Sequence, residues 1–121
     1  MAITSIEATR ETAGALRLPL WLWPALGTMA LLSDSEIESR LAELEGWERD
    51  GQTIVKTFEL ADFVGSVEFI GKVVEPAEEM GHHPDLNVSW NKVGVSITTH
   101  AAGGLTANDF ELAKRIDALT A

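Results

Sequence analysis

The sequence contains no cysteine and few basic residues: 9 lysines and arginines stand against 19 acidic residues in a chain of 121. Without cysteine, the chain can form neither a disulfide framework nor a thiolate that binds a metal or attacks a substrate. The formal net charge of −10 argues against a nucleic-acid backbone or an anionic membrane as the main partner. A hydrophobic fraction of 45% is sufficient for the core of one domain.

Long apolar runs are also missing. No uncharged run reaches the roughly 20 residues that a membrane-spanning helix needs. The most apolar run, Leu18 to Leu32, is interrupted by Pro19 and Pro24. Because no basic stretch precedes this run and no small-residue cleavage site follows it, a secretory signal is not indicated. We therefore expect a cytoplasmic protein that does not act at a membrane.

Residues 1–30 are expected to form an N-terminal extension, and residues 31–121 the folded domain. In one interpretation Met29 is the functional start, and the residues before it are an upstream-start artefact or a disordered tail. In the other interpretation, Trp21 and Trp23 dock on a partner or on the domain, since two exposed tryptophans are unusual on a free monomer.

Two capping boxes mark the beginnings of the first and last predicted helices. Ser33 and Glu36 have the spacing in which an N-cap hydroxyl and an acidic side chain three residues later satisfy free backbone amides. Thr106 and Asp109 repeat this spacing near the end of the chain. Both pairs stand just before an apolar stripe of helical period, so the sequence predicts a helix after each.

A third helix is predicted between them, after the possible N-cap Asp62. Its apolar residues recur at spacings of four and three, which places them on one helical face. Pro76 lies within this pattern and predicts a kink or break near residues 74–75, because proline removes a helical hydrogen bond and clashes with the preceding turn.

Two hairpins supply the strands. Asp50-Gly51 is a strong turn signal, and it predicts that residues 47–49 pair with residues 52–54. The element order is then α-β-β-α-β-β-α. Hairpins make the sheet antiparallel, so we expect an α+β domain with a four-stranded antiparallel sheet and three helices packed on one face.

The second hairpin is predicted to turn at Asn91-Lys92. In this register the apolar residues of positions 86–90 face those of positions 93–97, and this face is expected to pack on the core. Extending the same register places His83 directly opposite His100, with Cβ atoms about 4.5–5.5 Å apart.

Three histidines, His82, His83 and His100, fall within one 19-residue window. Imidazole titrates nearest neutral pH, so such a cluster suits proton transfer. Three histidines can also hold zinc, although adjacent residues of an extended chain point in opposite directions. In a third interpretation these histidines are only polar groups on the surface.

Two acidic residues require the same weighing. Glu78 precedes His82 by four residues, so a helix extending that far would let the carboxylate orient the imidazole. Without such a helix, Glu78 is a solvated charge at a helix end. The capping box alone explains Asp109.

A longer pattern runs through these residues. The segment from Glu78 to Phe110, EEMGHHPDLNVSWNKVGVSITTHAAGGLTANDF, closely resembles the pterin-4a-carbinolamine dehydratase family. The shared features are an acidic residue, His-His-Pro, a strand pair ending in Thr-His, Gly-Leu-Thr, and an aspartate in the last helix. The resemblance extends back to Leu31, so it covers residues 31–121.

The resemblance implies a hydro-lyase that converts 4a-hydroxytetrahydropterin to quinonoid dihydropterin and water in tetrahydropterin recycling. It implies no metal and no bound cofactor. His82 and His100 match the proton-transfer positions, and His83 matches a position that binds and orients the pterin. Further positions match groups that bind or orient the substrate: Glu78, Pro84, Thr99 and Asp109.

The resemblance also implies partners. We expect a homodimer or homotetramer, since the predicted sheet is small and has exposed edges. An aromatic amino acid hydroxylase is the expected source of the substrate. The alternative function is a non-catalytic binding, dimerisation or coactivator-type role on the same fold, because a fold does not fix a function.

Overall fold

A computed structural model describes residues 30–120. These residues form the expected α+β fold, with three helices and a four-stranded antiparallel sheet in the predicted order. The elements are α1 (Asp34–Leu41), β1 (Glu48–Asp50), β2 (Thr53–Glu59), α2 (Phe63–Met80), β3 (Asp85–Ser89), β4 (Lys92–Ile97), a 3-10 turn (His100–Ala102) and α3 (Ala107–Ala118). The expectations for the N-terminal extension, including those for Met29, Trp21 and Trp23, lie outside the described residues.

Both predicted capping boxes are confirmed. The Ser33 hydroxyl accepts a hydrogen bond from the Glu36 amide, and the Glu36 carboxylate accepts one from the Ser33 amide. Thr106 and Asp109 form the same reciprocal pair at the start of α3. The predicted N-cap Asp62 likewise accepts from the Gly65 amide at 2.7 Å. Local hydrogen-bonding chemistry therefore positions the starts of α1, α2 and α3.

The sheet has the strand order β1-β2-β4-β3, and its inner face packs against the helices. Alternate residues of β2 and β4 point into this core, as the period of two requires. The largest fully buried side chains there include Ile54, Ile97, Phe110, Leu112 and Ile116. The core thus joins the two central strands to α3, which carries Asp109.

Both hairpins turn one residue away from the predicted position. In the first, Asp50 pairs with Thr53, so the turn is at residues 51–52 rather than 50–51. In the second, Ser89 pairs with Lys92, and the turn is at residues 90–91 rather than 91–92. Each register therefore differs by two residues from the prediction. Such a shift keeps every side chain on its face, so the apolar pattern could not distinguish the two registers.

Contacts from other elements fix the second turn. Trp90 adopts a left-handed backbone with φ 53°, and its carbonyl accepts a hydrogen bond from the Ser66 hydroxyl at 2.7 Å. The Asn91 amide group donates to the Leu60 carbonyl at 3.2 Å. These partners lie more than 20 positions away in sequence, and the hairpin sequence alone could not reveal them.

The prediction of a kink or break at Pro76 is wrong. Helix α2 continues through this residue to Met80 and ends at Gly81, whose φ of 59° reverses the chain. Pro76 is itself buried, as are Val73 and Ala77 on the same stretch of helix. The packing of this face offsets the roughly 3 kcal/mol that a proline costs within a helix.

The predicted core face of the second hairpin is only half confirmed. The inward side chains of β4 are buried, but Leu86 and Val88 of β3 are exposed, as is Trp90 in the turn. The reason is topological, because β4 pairs on both sides whereas β3 lies at the edge of the sheet.

None of the helices within residues 30–120 combines the length and the hydropathy that a membrane-spanning helix requires.

Candidate active site

His82 and Asp109 form a buried pair at the junction of α2 and α3. The left-handed turn at Gly81 follows α2, and the His82 amide donates back to the Ala77 carbonyl at 3.0 Å. This turn directs the His82 ring to α3, where its Nε2 lies 2.6 Å from Asp109 Oδ1. The His82 side chain is 11% exposed, and the Asp109 side chain is completely buried.

The Asp109 carboxylate has partners on both oxygens. Its Oδ2 accepts from the Thr106 amide at 2.8 Å and from the Thr99 hydroxyl at 2.9 Å, while Oδ1 faces His82. The sequence analysis explained Asp109 by the capping box alone. The structure adds a second contact, because the same carboxylate caps α3 and holds His82. A buried carboxylate is tolerated because each of its oxygens is hydrogen-bonded.

His83 and Glu78 form a second pair, which is exposed. His83 Nε2 lies 2.6 Å from Glu78 Oε2, and the two side chains are 62% and 68% exposed. Glu78 was expected to orient His82 if the helix extended that far. Because α2 ends at Met80, His82 lies beyond the helix and Glu78 contacts His83 instead.

The prediction that His83 lies opposite His100 is wrong. In the observed register Asp85 pairs with Ser96, and the ladder does not reach His83. His100 belongs instead to the 3-10 turn after β4, where it is exposed. Its ring forms no hydrogen bond with any other residue of the 30–120 segment that the structure describes.

Thr99 links the 3-10 turn that contains His100 to the pair of His82 and Asp109. Its backbone pairs with Gly104 across the 3-10 turn, with a distance of 3.1 Å from the Thr99 nitrogen to the Gly104 oxygen. Its hydroxyl reaches Asp109, so the residue before His100 contacts the residue that holds His82. These side-chain contacts connect Thr99, just before the 3-10 turn, through Asp109 to His82, just after α2.

A small cleft of about 150 Å³ opens beside the exposed pair, between α2 and β3. Its walls are mainly apolar, and the polar groups on it are Glu78 and His83: the lining residues are Ile70, Val73, Val74, Ala77, Glu78, His83, Pro84 and Leu86. A larger groove of about 660 Å³ covers the outer face of the sheet, but none of the histidines lines it, whereas His83, though neither His82 nor His100, lines the smaller cleft. We take the smaller cleft as the candidate substrate-contacting surface, because titratable groups meet apolar walls there.

Geometry bears on the zinc alternative as well. Among residues 30–120, no three histidine, aspartate or glutamate side chains are grouped as a metal ion would require. The contact between His82 and Asp109 joins residues 27 positions apart. The resemblance to the family placed Asp109 near the histidines, but the residues alone indicated only the capping motif at Thr106 and did not show which histidine Asp109 contacts.

Comparison with known proteins gives a consistent family. A family model described as pterin 4 alpha carbinolamine dehydratase matches residues 30–119. A protein of Thermosynechococcus vestitus is 50% identical over 88 residues, which are 73% of this chain and 93% of that protein. A protein of Roseiflexus castenholzii is 52% identical over 88 residues, or 73% and 95% of the two chains. Both are provisionally named pterin-4-alpha-carbinolamine dehydratase.

Two solved structures share the fold. The crystal structure of a transcriptional coactivator/pterin dehydratase from Brucella melitensis matches with a TM-score of 0.71 and 29% identity, over 74% of this chain and 98% of that one. A pterin dehydratase-like protein, identified as a RuBisCO assembly factor in the alpha-carboxysome, matches with a TM-score of 0.53 and 23% identity, over 62% and 89% of the two chains. At this identity the second likeness concerns the fold alone.

Proposed function

Because the chain belongs to the pterin-4a-carbinolamine dehydratase family, we propose that it removes water from a 4a-hydroxytetrahydropterin to give a quinonoid dihydropterin. The observation that carries this proposal is the buried pair of His82 and Asp109. A histidine held by a buried carboxylate, close to a second histidine on an apolar cleft, suits proton transfer to and from a flat heterocycle.

The reaction needs two proton movements. The bond between C4a and the hydroxyl oxygen breaks, and the hydroxyl takes up a proton as it leaves as water. A ring nitrogen of the pterin loses a proton, and its electrons form the new carbon–nitrogen double bond. An imidazolium supplies the first proton and a neutral imidazole accepts the second, so the overall reaction needs neither an oxidant nor a reductant.

We assign these proton transfers to His82 and His100. His83, with Glu78 and Pro84 on the cleft wall, binds and orients the pterin. Asp109 is completely buried, so its role is to hold His82 rather than to touch the substrate. Thr99 is buried as well, and it acts on the site through the hydrogen bond from its hydroxyl to Asp109.

The test is an assay of 4a-carbinolamine dehydration with the full chain. The wild type should accelerate dehydration, and His82→Ala and His100→Ala should each lose about 100-fold or more of that activity, the usual contribution of a general acid or base. Circular dichroism and the urea midpoint identify variants that fail to fold. If both folded variants keep the full rate, the assignment of these histidines is wrong.

A second proposal concerns the exposed apolar face of the protein. Outside the cleft, helix α2 and the hairpin of β3 and β4 expose large apolar side chains: Phe63, Val64, Val67, Val88 and Trp90. So many large apolar side chains exposed on two neighbouring elements of a small domain are typical of an interaction surface, which we call the apolar patch. We propose that it mediates formation of a homodimer or homotetramer, while docking of an aromatic amino acid hydroxylase or another protein is the competing occupant.

Light scattering of the purified chain distinguishes these occupants. A homo-oligomer should dissociate in Val67→Glu, which places a charge among these exposed apolar side chains, and should persist in Glu68→Gln on the same helix. A wild-type chain that is monomeric at all concentrations would contradict self-association. A purely binding role is supported only if the folded wild type does not accelerate dehydration.

A further inference from the structure

A chain of buried side chains, two threonine hydroxyls and one carboxylate, lies behind the proposed active site. The side chains of Thr99, Thr106 and Asp109 form it, and these residues are 4%, 0% and 0% exposed. Burying polar groups is unfavourable unless they are hydrogen-bonded. Here every side-chain oxygen has a partner, and the two threonine hydroxyls lie 2.9 Å apart.

Hydrogen-bond chemistry fixes the direction of this chain. A carboxylate only accepts, so the Thr99 hydroxyl must use its single proton to donate to Asp109. It then accepts from the Thr106 hydroxyl, which itself accepts from the Asn108 amide at 3.3 Å. The protons therefore all point from the start of α3 to the carboxylate.

The direction of the chain has a consequence for His82. Asp109 Oδ2 is saturated by the Thr99 hydroxyl and the Thr106 amide, so Oδ1 remains for the histidine. Since this oxygen also accepts, the Nε2 atom of His82 must carry a hydrogen. The other ring nitrogen, Nδ1, is then the atom that exchanges a proton with a substrate.

We infer that Thr99 and Thr106 are positioning residues: their hydroxyl chain holds Asp109 so that His82 keeps its hydrogen on Nε2 and reacts through Nδ1. The part concerning reaction rests on the proposed dehydratase function. Thr99 is the more informative member, because it lies outside α3. The helix cap needs only Thr106 and Asp109, so capping does not explain the Thr99 hydroxyl.

Thr99→Val tests the inference, since it removes the hydroxyl with little change of shape. We expect kcat for dehydration to fall about 10- to 100-fold, the range for loss of a hydrogen bond to a charged group, with little change in KM. Thr99→Ser, which keeps the hydroxyl, should restore most of kcat. Thr98→Val is the matched control, because the neighbouring hydroxyl donates to the Gln52 carbonyl and does not reach Asp109.

A second measurement reads the histidine directly. Long-range 1H–15N NMR spectra at alkaline pH, where imidazole is neutral, distinguish the two ring tautomers. Wild type, Thr99→Ser and Thr98→Val should show His82 with its hydrogen on Nε2. Thr99→Val should show a mixture of tautomers, because Asp109 without this donor is no longer held with Oδ1 against Nε2.

These measurements separate the two proposals. A wild type without dehydratase activity but with His82 in the Nε2 form would contradict the proposed function and leave the positioning inference standing. The inference is overturned if wild-type His82 carries its hydrogen on Nδ1. It is also overturned if folded Thr99→Val retains both kcat and a pure Nε2 tautomer. If Thr99→Val does not fold, the wild-type spectrum still decides the tautomer.

Discussion

The two histidine–carboxylate pairs have the same nitrogen–oxygen distance, but they differ in burial and in their hydrogen-bond partners. His82 with Asp109 and His83 with Glu78 both have 2.6 Å between nitrogen and oxygen. The first pair is almost fully enclosed and its carboxylate has two further donors, whereas both side chains of the second are more than half exposed. Distance alone therefore says little about what a pair does.

The physical difference lies in the solvent. An exposed pair is screened by water and contributes about 0–1 kcal/mol to stability. A buried pair is costly to disrupt, because removing one partner leaves the other without water or a counter-charge. The buried pair is thus a fixed part of the architecture, and the exposed pair is free to rearrange around a ligand.

The largest expected effect is that of Asp109→Asn. This isosteric change removes the charge that faces His82. It also replaces one carboxylate oxygen, which accepts hydrogen bonds, by an NH2 group, which donates them. We expect the free energy of unfolding to fall by about 3–5 kcal/mol, as for other broken buried pairs. Urea denaturation of the full chain measures this loss.

Glu78→Gln is the matched control in the exposed pair. It should change the free energy of unfolding by less than about 1 kcal/mol, because water replaces the lost contact. If the two substitutions destabilise the protein equally, burial does not distinguish the pairs.

The two capping boxes provide a smaller, parallel comparison. Ser33→Ala removes an exposed cap and should cost about 1 kcal/mol. Thr106→Ala removes a cap together with a buried hydroxyl that donates to Thr99, so its loss should be the greater of the two. Thermal unfolding of both variants checks this order, and a larger loss for Ser33→Ala would contradict it.

The smallest effect concerns the pH dependence of the exposed cap. The hydrogen bond from the Ser33 amide lowers the pKa of Glu36 below its ordinary value of 4.5. Because the folded pKa is the lower one, this carboxylate stabilises the protein above pH 4.5, and the contribution is lost as the pH falls through the folded pKa. Stability curves on the acid side should be slightly flatter for Glu36→Gln, and an identical slope would argue against this contribution.

Local chemistry made much of the fold predictable. The caps at Ser33, Asp62 and Thr106 follow from side-chain groups within a few residues of the amides that they satisfy. The faces of the strands follow from alternation. The registers do not, because a shift of two residues leaves the apolar pattern unchanged, and contacts with the distant residues Ser66 and Leu60 decide the second turn.

The candidate site was predictable as a set of residues rather than as a geometry. The resemblance singled out His82, Asp109 and Thr99, but their contacts depend on how α2 ends and how α3 packs. The single residue Gly81 sends the chain out of the helix, which separates Glu78 from His82 and brings His82 to Asp109. Long-range packing of this kind leaves no periodic signal in the sequence.

The most direct test compares the kinetics of His82→Ala and His83→Ala in the carbinolamine dehydration assay. The buried, carboxylate-held histidine should determine kcat, so His82→Ala should lower kcat about 100-fold or more with a small change in KM. The exposed histidine should act in binding, so His83→Ala should mainly raise KM. Equal losses of kcat in both variants, or a change confined to KM in His82→Ala, would contradict the account.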